Sequence, residues 1–427
     1  METLFHQQVA MDIQQKTKFK KPDLNMKILL LCNKSPWPPL EGGPIAMNAM
    51  ATGLIKAGHQ VKILAINSNK YSVSHSSIPG DYRLKTGIET VYIDLSVRPL
   101  AAFFNLFTGR SYHVERFITR HFENALTAIL KKEKFDIIQF ETLFTSPYLK
   151  LIRSLSDAKV ILRAHNIEHL IWERIAGGCA NPVKKLYLNH LARTLKLYEL
   201  ETLHKVDGIV AITNKDASFF KDAAPDTPVI SIPFGMSTDE SDEVTQIANE
   251  GKPPTLFHLG SMNWIPNQEG IRWFIKNVWP VVSARYPELK FHLAGREMPD
   301  WLKETKIPGI VIDGEVPDAR AYMLSHSIMI VPLFSGSGIR IKIIEGMQAR
   351  KAIITTAIGA EGIAVANGEH LLLAENSEGF VNAIDKCIET PELMHKLGQN
   401  AHMLVMRDHN NDALMQKISE FYQQLMH

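Results

Sequence analysis

The chain has 427 residues, of which 45% are hydrophobic and 22% are charged, and its formal net charge is +2. This length exceeds a single typical hydrophobic core and predicts two domains of about 200 residues each. The composition excludes a disordered or fibrous protein, and no apolar run approaches the ~18 residues that a membrane-spanning helix needs.

The first 25 residues lack the apolar stretch of a secretory signal, and we expect a disordered extension over residues 1–25. From residue 26 to 234, short apolar runs alternate with helical patterns, the first of which covers residues 44–57. Continuous apolar runs of this kind indicate parallel strands that are buried on both faces of a sheet. Strands are predicted at residues 27–32, 61–66, 91–95, 137–140, 160–163, 208–213 and 228–232.

Residues 235–254 combine an acidic run with Gly251, Pro253 and Pro254, which is typical of a linker. A second alternating series follows over residues 255–405 and predicts a second α/β domain. Its strands are predicted from residue 255 and at residues 290–294, 310–313, 328–332, 352–356 and 370–374. Two such domains on either side of a hinge place a ligand in the cleft, at the carboxyl ends of the strands.

The most informative stretch is residues 335–362, which read SGSGIRIKIIEGMQARKAIITTAIGAEG. A glycine-rich loop leads into a helix predicted over residues 339–349, with Arg340 and Lys342 in its first turn. Unpaired amides and the helix dipole favour an anion there, and two cations favour a diphosphate over a carboxylate. Glu345, one turn further on, is placed to accept hydrogen bonds from ribose hydroxyls. A solvated helix face after an ordinary loop is the alternative.

Two candidate sites lie in the first half of the chain. Gly42 and Gly43 stand between the first strand and the first helix, where glycines permit positive φ and close approach of a substrate, or form a tight turn and nothing more. The segment is not GxGxxG, so a dinucleotide site is not predicted. His165 follows a predicted strand within the polar run RAHNIEH, at the sheet edge where α/β proteins bind ligands. We interpret His169 as structural.

Residues 335–362 resemble the donor-site motif of family 4 glycosyltransferases, in the branch that reads G-S-G-x-R-x-K-x-x-E-(A/G)-M. Residues 257–267 (FHLGSMNWIPN) resemble the first strand and loop of that family's C-terminal domain. Residues 313–318 (DGEVPD) resemble its base-contacting loop, and residues 165–168 (HNIE) its N-terminal-domain site. The resemblance extends in order from residue 26 to the C-terminus. It implies an α/β protein of the GT-B fold, in which two Rossmann-like domains face each other across a cleft.

The resemblance also implies roles for individual residues. His165 would lie near the anomeric centre, while Arg340 and Lys342 would stabilise the departing nucleotide diphosphate, and these three are the expected catalytic residues. Asn166 and Glu168 would line the acceptor side. The C-terminal segment 406–427, with a helix over residues 412–426, would pack back onto the N-terminal, acceptor-side domain. The expected donor contacts are Gly42, Gly43, Gly260, Ser261, Asn267, Val316, Ser337, Gly338, Ile339, Arg340, Lys342 and Glu345.

The chain departs from the family pattern in two places. Many relatives hold an Arg and a Lys in the loop at residues 260–267, whereas Ser261 and Asn267 offer only neutral hydrogen bonds here. Ser337 replaces the first of the family's paired glutamates, so the motif supplies no carboxylate nucleophile for a double displacement. The family is retaining, and a front-face reaction is compatible with this loss. No Asp-x-Asp triplet occurs, so we expect no metal and no cofactor besides the UDP- or GDP-sugar donor.

Positive charge predominates between residues 26 and 235 and negative charge beyond them, which suits an anionic partner of the first half or is ordinary asymmetry. A membrane surface with a lipid-linked acceptor fits the first interpretation. The segment LAAFFNLF at residues 100–107 either packs in the core or contacts lipid. Basic residues are not interleaved with aromatics, so nucleic acid is not an expected partner. Oligomeric state is not predicted.

Three widely spaced cysteines without a CxxC pair are typical of reduced packing residues, and we expect a cytoplasmic protein that contacts the inner membrane face peripherally. The expected function is transfer of a hexose-type sugar to a glycan or lipid-linked glycan hydroxyl in cell-surface polysaccharide synthesis. A nucleotide-sugar epimerase of the same fold is one alternative and would need no acceptor. A non-catalytic nucleotide-sugar binder is the other, because Ser337 removes a family carboxylate.

Overall fold

The computed structural model describes residues 25–40, 42–69, 71–96, 105–106, 108–236, 253–336 and 338–427. Nearly all of the expected N-terminal extension lies outside the described residues. So do most of the expected linker, most of the segment LAAFFNLF, and Ser337. Within the ranges above, no helix combines the length and apolar character that crossing a bilayer requires.

The first domain is built on a parallel sheet of seven strands in the order β3-β2-β1-β4-β5-β6-β7. From β1 the strands are added in one direction up to β3, and from β4 they are added in the other direction. The topological switch point therefore lies between β1 and β4, where Ile28 pairs with Ile137. The strands are β1 Lys27–Cys32, β2 Gln60–Ser68, β3 Glu89–Ile93, β4 Ile137–Phe140, β5 Lys159–Ala164, β6 Gly208–Ala211 and β7 Val229–Ser231.

Helices cover both faces of this sheet, because successive side chains of each strand point to opposite sides. In β1, Leu29 and Leu31 belong to one buried cluster, whereas Ile28 and Leu30 belong to the other. The helices are α1 Gly42–Lys56, α2 Gly80–Thr86, α3 Tyr112–Glu115, α4 Arg120–Lys132, α5 Leu149–Leu155, α6 Glu168–Gly177, α7 Pro182–Leu203 and α8 Asn214–Ala223.

The second domain repeats this plan with six parallel strands in the order β10-β9-β8-β11-β12-β13. Its strands are β8 Thr255–Leu259, β9 Lys290–Ala294, β10 Ile310–Gly314, β11 Ile328–Val331, β12 Ala352–Thr355 and β13 Leu372–Leu373. Its helices are α9 Ile265–Asn277, α10 Trp279–Arg285, α11 Asp300–Lys303, α12 Ala319–Leu324, α13 Ile341–Gln348, α14 Ser377–Glu389 and α15 Pro391–Asp408.

The last helix, α16 Asn411–Met426, packs on the first sheet rather than the second. Leu414, Ile418 and Phe421 lie in the same buried cluster as Ile28, as the apolar face of the helix predicts. The crossing is held by main-chain bonds, because Met236 N donates to His409 O at 2.7 Å. Each of the thirteen described strands falls within two residues of a predicted one, so the alternation of apolar runs predicted both sheets.

Candidate functional site

The two sheets face each other across a cleft. Contacts between the two domains narrow this cleft. Arg296 Nη2 donates to the carbonyl of Leu40 at 2.8 Å. Glu361 lies 3.4 Å from Arg174 and pairs with the first domain from the loop after β12. Gly338, at the end of the glycine-rich loop, lines the same cavity as Arg174 and Glu361, at the edge where the carboxyl ends of the strands meet.

Gly336 and Gly338 have φ values of +108° and +78°, which side-chain-bearing residues rarely adopt. The loop also lies close to the first domain, since a Cβ on Gly338 would stand 2.8 Å from Asn166 Oδ1. Residue 338 must therefore be glycine both for its positive φ and for its close approach to Asn166. This close approach brings the amide end of α13 next to Asn166, which is expected on the acceptor side.

Arg340 lies one residue before the helix, because α13 begins at Ile341 rather than at residue 339. The side chain is 5% exposed, and its guanidinium lies over the ring of Trp264, 5.3 Å from the centroid. It also donates a hydrogen bond to Gly338 O. Burial lowers the pKa of Arg340 to about 10, and Glu361 opposes that effect. The guanidinium is thus fixed at the helix N-terminus.

Lys342 lies in the first turn of α13, as predicted, and its ammonium points towards the loop after β8. Lys342 Nζ donates to Asn267 Oδ1 at 2.7 Å and lies 3.4 Å from His258 Nε2. His258 Nδ1 bonds Ile330 O at 2.7 Å, so Nε2 is the acceptor that faces the ammonium. Burial, and secondarily Arg340, lowers the pKa of Lys342 to about 7. No carboxylate forms an ion pair with it among the described residues.

Gly260 makes room for this ammonium, since a Cβ there would stand 2.5 Å from Lys342 Nζ. Asn267 is 2% exposed, and its amide nitrogen donates to Ser261 O at 2.8 Å. Both ends of the Asn267 amide are therefore engaged within the protein. In this arrangement Asn267 positions Lys342, and the direct donor contacts expected of Ser261 and Asn267 stay a prediction.

A cavity of about 440 Å³ opens beside α13, and Glu345 lies in its wall. Burial raises the pKa of Glu345, and nearby Lys342 opposes that rise. The side chain of Val316 packs against a buried cluster of the second domain, and the next residue, Pro317, lines the cavity, so contact of the Val316 backbone with a base stays a prediction. The other lining residues are Met236, Asp318, Ala319, Arg320, Met323, Leu324, Gln348, Ala349 and Arg350.

His165 belongs to a buried charged network on the first-domain side of the cleft. Glu141 accepts from Arg163 Nη1 at 2.6 Å, and these side chains are 0% and 2% exposed. His165 Nε2 lies 3.3 Å from Glu141 Oε2 and 3.2 Å from Arg163 Nη1. Burial and Arg163 lower the pKa of His165, which keeps its ring neutral. Both contacts use Nε2, so Nδ1 is the ring atom available to a substrate hydroxyl.

The network extends away from the cleft to the C-terminal helix. Gln139 Nε2 donates to Glu141 Oε1 at 2.6 Å, and Tyr422 on α16 donates to Gln139 Oε1. Arg163 Nη1 also contacts the carbonyl of Ala46 in α1 at 3.3 Å. Thus α16 supports the geometry around His165 although it follows the second domain in sequence.

Glu168 begins α6 beside a second buried carboxylate, Glu199. The Glu199 oxygens accept from Glu168 N at 2.9 Å and from His169 N at 3.0 Å, which caps the helix. Burial and the neighbouring Glu199 raise the pKa of Glu168 to about 8, so the carboxyl is protonated at neutral pH. His169 is fully buried and bonds Glu199 Oε2 at 2.6 Å, which is the structural role predicted for it.

A smaller cavity of about 110 Å³ lies between the domains next to this helix. Asn166, Arg174 and Asp216 line it from the first domain, and Gly338 and Glu361 from the second. The expected donor contact Ile339 packs at the same place, because a Cβ on Gly362 would stand 3.0 Å from its Cγ1. Gly338, at the end of the glycine-rich loop, therefore borders the smaller cavity.

Gly42 and Gly43 do not use the positive φ that glycine permits. Both belong to the first turn of α1, and neither has a positive φ. A Cβ on Gly42 would meet Ile341 Cδ1 at 3.8 Å, an ordinary contact. Close approach of a substrate to these two glycines stays a prediction.

Three polar residues that the sequence patterns did not single out belong to the site: Glu141, His258 and Glu361. Glu141 directly follows the apolar strand β4, and that position at the carboxyl end of a strand was the available signal. His258 interrupts the apolar run of β8, where a buried polar residue needs a partner. Nothing in the local sequence pairs Glu361 with Arg174, because that contact forms only when the domains meet.

Two family profiles match consecutive parts of the chain. Residues 42–240 match the profile of Glycosyltransferase Family 4, and residues 253–390 match that of Glycosyl transferases group 1. An uncharacterized 44.6 kDa protein in the cps region of Klebsiella pneumoniae is 20% identical over 404 residues, covering 92% of this chain and 98% of that one.

Solved structures share the whole architecture. Anabaena HepE in complex with UDP and glucose superimposes with a TM-score of 0.60 at 14% identity, covering 93% of this chain and 100% of that one. WaaG, described as a glycosyltransferase involved in lipopolysaccharide biosynthesis, has a TM-score of 0.62 at 13% identity, covering 92% and 99%. With two parallel α/β sheets across a cleft and both halves matched, the chain belongs to the family 4 (group 1) glycosyltransferases and has the GT-B fold.

Proposed function

We propose that this protein is a retaining hexosyltransferase that moves a sugar from a UDP- or GDP-sugar to the hydroxyl of a glycan or lipid-linked glycan. The product would belong to cell-surface polysaccharide synthesis. HepE has been crystallised with UDP and glucose, and WaaG acts in lipopolysaccharide biosynthesis, so related folds handle such donors and such products.

The observation that carries this proposal is the ammonium of Lys342. It is held by Asn267 and His258, two neutral groups, and its pKa falls to about 7. A buried cation without a carboxylate partner is costly unless an anion joins it. A diphosphate placed between Lys342 and Arg340, at the amide end of α13, would supply that charge. Glu345 would then bond the ribose, with the base in the 440 Å³ cavity.

The carboxylates of the site favour a front-face reaction over a covalent glycosyl intermediate. Glu141 is the carboxylate nearest His165, but it is fully buried and paired with Arg163 at 2.6 Å. Glu168 carries a proton at neutral pH because its pKa is about 8. Neither is therefore a ready nucleophile. In the proposed reaction a donor phosphate oxygen takes the proton of the attacking hydroxyl, and the bond to the sugar forms on the face that the nucleotide leaves.

Catalysis would then be mainly electrostatic. Arg340, Lys342 and the α13 dipole would stabilise the negative charge on the leaving nucleotide diphosphate, and no phosphate-bridging metal or other cofactor is invoked. Neutral His165 would present Nδ1 to a sugar hydroxyl near the anomeric carbon. Asn166 and Glu168 would hold the acceptor beside the smaller cavity. Contacts between Glu361 and Arg174 would help to close the cleft against water.

A thermal-shift screen with UDP, GDP, ADP and their sugars tests donor binding first. We expect the melting temperature to rise with a uridine or guanosine sugar nucleotide in the wild type and to rise much less in Lys342→Met. Lys276→Met, on the exposed side of α9, is the matched control and should respond like the wild type. No shift with any nucleotide would refute the proposed donor site.

Transfer is tested by incubating the preferred donor with a panel of glycan and lipid-linked glycan acceptors. Transfer of the sugar with retained anomeric configuration supports the proposal, and added Mg²⁺ or Mn²⁺ should leave the rate unchanged. An epimerised nucleotide sugar formed from donor alone would instead identify an epimerase. Donor binding without turnover on any acceptor would identify a non-catalytic binder.

Membrane attachment from the cytoplasmic side is a separate part of the proposal, supported by the positive charge of the first half of the chain. The protein should sediment with vesicles that contain anionic lipid and remain in solution with neutral vesicles. A Phe103→Ser, Phe104→Ser variant should sediment less if the apolar segment contacts lipid. Equal recovery with both kinds of vesicle would refute an electrostatic attachment.

A further inference from the structure

A cluster of side chains that could bind a metal ion lies next to α12, outside the proposed donor site. It consists of His292 on β9, Asp313 on β10 and His326 just before β11. One ligand atom from each residue lies within 4.8 Å of the other two. The sequence patterns did not indicate this cluster, because 34 residues separate His292 from His326 and only the sheet brings them together.

The backbone aims Asp313 at its neighbours. The pairing of β10 with β9 shifts between Ile312 and Gly314, so Asp313 is the extra residue of a β-bulge. Bulges re-aim a side chain and recur next to functional sites. His292 Nδ1 lies 3.1 Å from Asp313 Oδ2, close to the roughly 3.3 Å that separates ligand atoms in a tetrahedral zinc site.

The outer contacts resemble those that orient metal ligands in proteins. His326 Nδ1 bonds the carbonyl of Tyr322 at 2.8 Å, so its Nε2 lone pair remains for a ligand. The Tyr322 hydroxyl donates to Asp313 Oδ2 at 2.7 Å. Lys351, the nearby cation, donates to the carbonyls of Leu324 and His326 at 3.2 and 2.8 Å, which fixes the His326 backbone.

The three side chains are buried enough to hold an ion and exposed enough to admit it. His326 is 8% exposed, whereas the side chains of His292 and Asp313 are 21% and 25% exposed, so an ion can enter from the surface. Two imidazoles and one carboxylate form a ligand set that suits Zn²⁺ and its neighbours, with one position left for water. Mg²⁺, which prefers oxygen ligands only, would not be bound by two imidazoles and one carboxylate.

We infer that His292, Asp313 and His326 form a binding site for a divalent late transition-metal ion of the Zn²⁺ class. The ion would connect β9, β10 and the end of α12, and Ala319, Arg320 and Met323 on the other side of α12 line the 440 Å³ cavity. The ion would fix this wall of the cavity, and its site is separate from the proposed site of the donor diphosphate. The inference does not rest on the proposed glycosyl transfer.

The test is calorimetric titration of ZnCl₂ into untagged, chelator-treated full-length protein, with MgCl₂ as the comparison ion. We expect one Zn²⁺ per chain, a higher melting temperature with Zn²⁺, and no response to Mg²⁺. Asp313→Asn and His292→Gln should each weaken Zn²⁺ binding by more than about 100-fold. Tyr322→Phe removes an outer contact and should weaken it by about 10–100-fold. Co²⁺ should give visible absorption bands that disappear in the same variants.

His121→Ala, an exposed histidine on α4, is the control and should bind Zn²⁺ like the wild type. Circular dichroism establishes that each variant is folded, and the part-exposed His292 and Asp313 carry the test even if the buried His326→Gln variant unfolds. Absence of micromolar Zn²⁺ binding in the wild type would overturn the inference. Unchanged binding in both Asp313→Asn and His292→Gln would overturn it as well.

Discussion

Binding of a nucleotide sugar should depend on pH through Lys342. Without donor, burial and Arg340 hold the pKa of this ammonium at about 7, compared with 10.5 for an ordinary lysine. A bound diphosphate favours the charged form, so it should raise that pKa well above 9. Above pH 7 the free protein must therefore take up a proton when it binds the donor, and affinity should fall as pH rises.

The magnitude follows from the size of this shift. Between pH 7 and pH 9 the protonated fraction of Lys342 in the free protein falls by about one to two orders of magnitude, so the dissociation constant should rise by a similar factor, or about 2 kcal/mol. The same pKa sets the stability of the free protein, because the folded state releases this proton before the unfolded state does. The free energy of unfolding should rise by about 2 kcal/mol from this group between pH 7 and pH 9.

The assay is calorimetric titration of the nucleotide sugar that gives the largest thermal shift, at several pH values between 7 and 9. A nucleotide sugar is preferred to UDP because its diphosphate has no proton to lose in this range. Lys342→Met should bind more weakly with an affinity independent of pH, and Lys276→Met should keep the wild-type profile. Urea unfolding of the wild type and Lys342→Met at both pH values measures the stability difference.

A flat affinity profile in the wild type, or the same slope in Lys342→Met, would refute this account of the site. A stability difference between wild type and Lys342→Met that does not change with pH would show that the ammonium titrates normally. Either result would remove the main support for a diphosphate between α13 and the loop after β8.

Three further perturbations test other parts of the site. Arg340→Ala should weaken nucleotide-sugar binding by about 1.5–3 kcal/mol in calorimetry, more than in relatives with an additional Arg and Lys clamp; a change within error would contradict its phosphate role. Glu141→Gln should lower the free energy of unfolding by about 3–5 kcal/mol in urea titration because it leaves Arg163 buried without a carboxylate, and an added Arg163→Met should restore most of it. Gly260→Ala should raise the donor KM, because its Cβ would stand 2.5 Å from Lys342 Nζ, whereas Gly177→Ala, with nothing within 4 Å, should change neither KM nor melting temperature.

The alternation of apolar runs determined both sheets, because a strand buried on two faces is apolar along most of its length. The motif around Arg340, Lys342 and Glu345 predicted an anion site at a helix N-terminus for an equally local reason. Amide groups at the start of a helix and side chains within one turn are fixed relative to each other by helix geometry.

Other features depended on residues that are distant in the chain. The bond from Lys342 to Asn267 was not predicted, because the two residues lie 75 positions apart and meet only when their segments pack together. Glu141 and Arg163 come from adjacent strands, and α16 supports them through Tyr422. The metal-ligand cluster arises from a bulge that shifts Asp313 by one register position. Apolar periodicity and local motifs reside in single segments and can be predicted from sequence, whereas charge pairing and hydrogen-bond partners are settled when separate segments pack together.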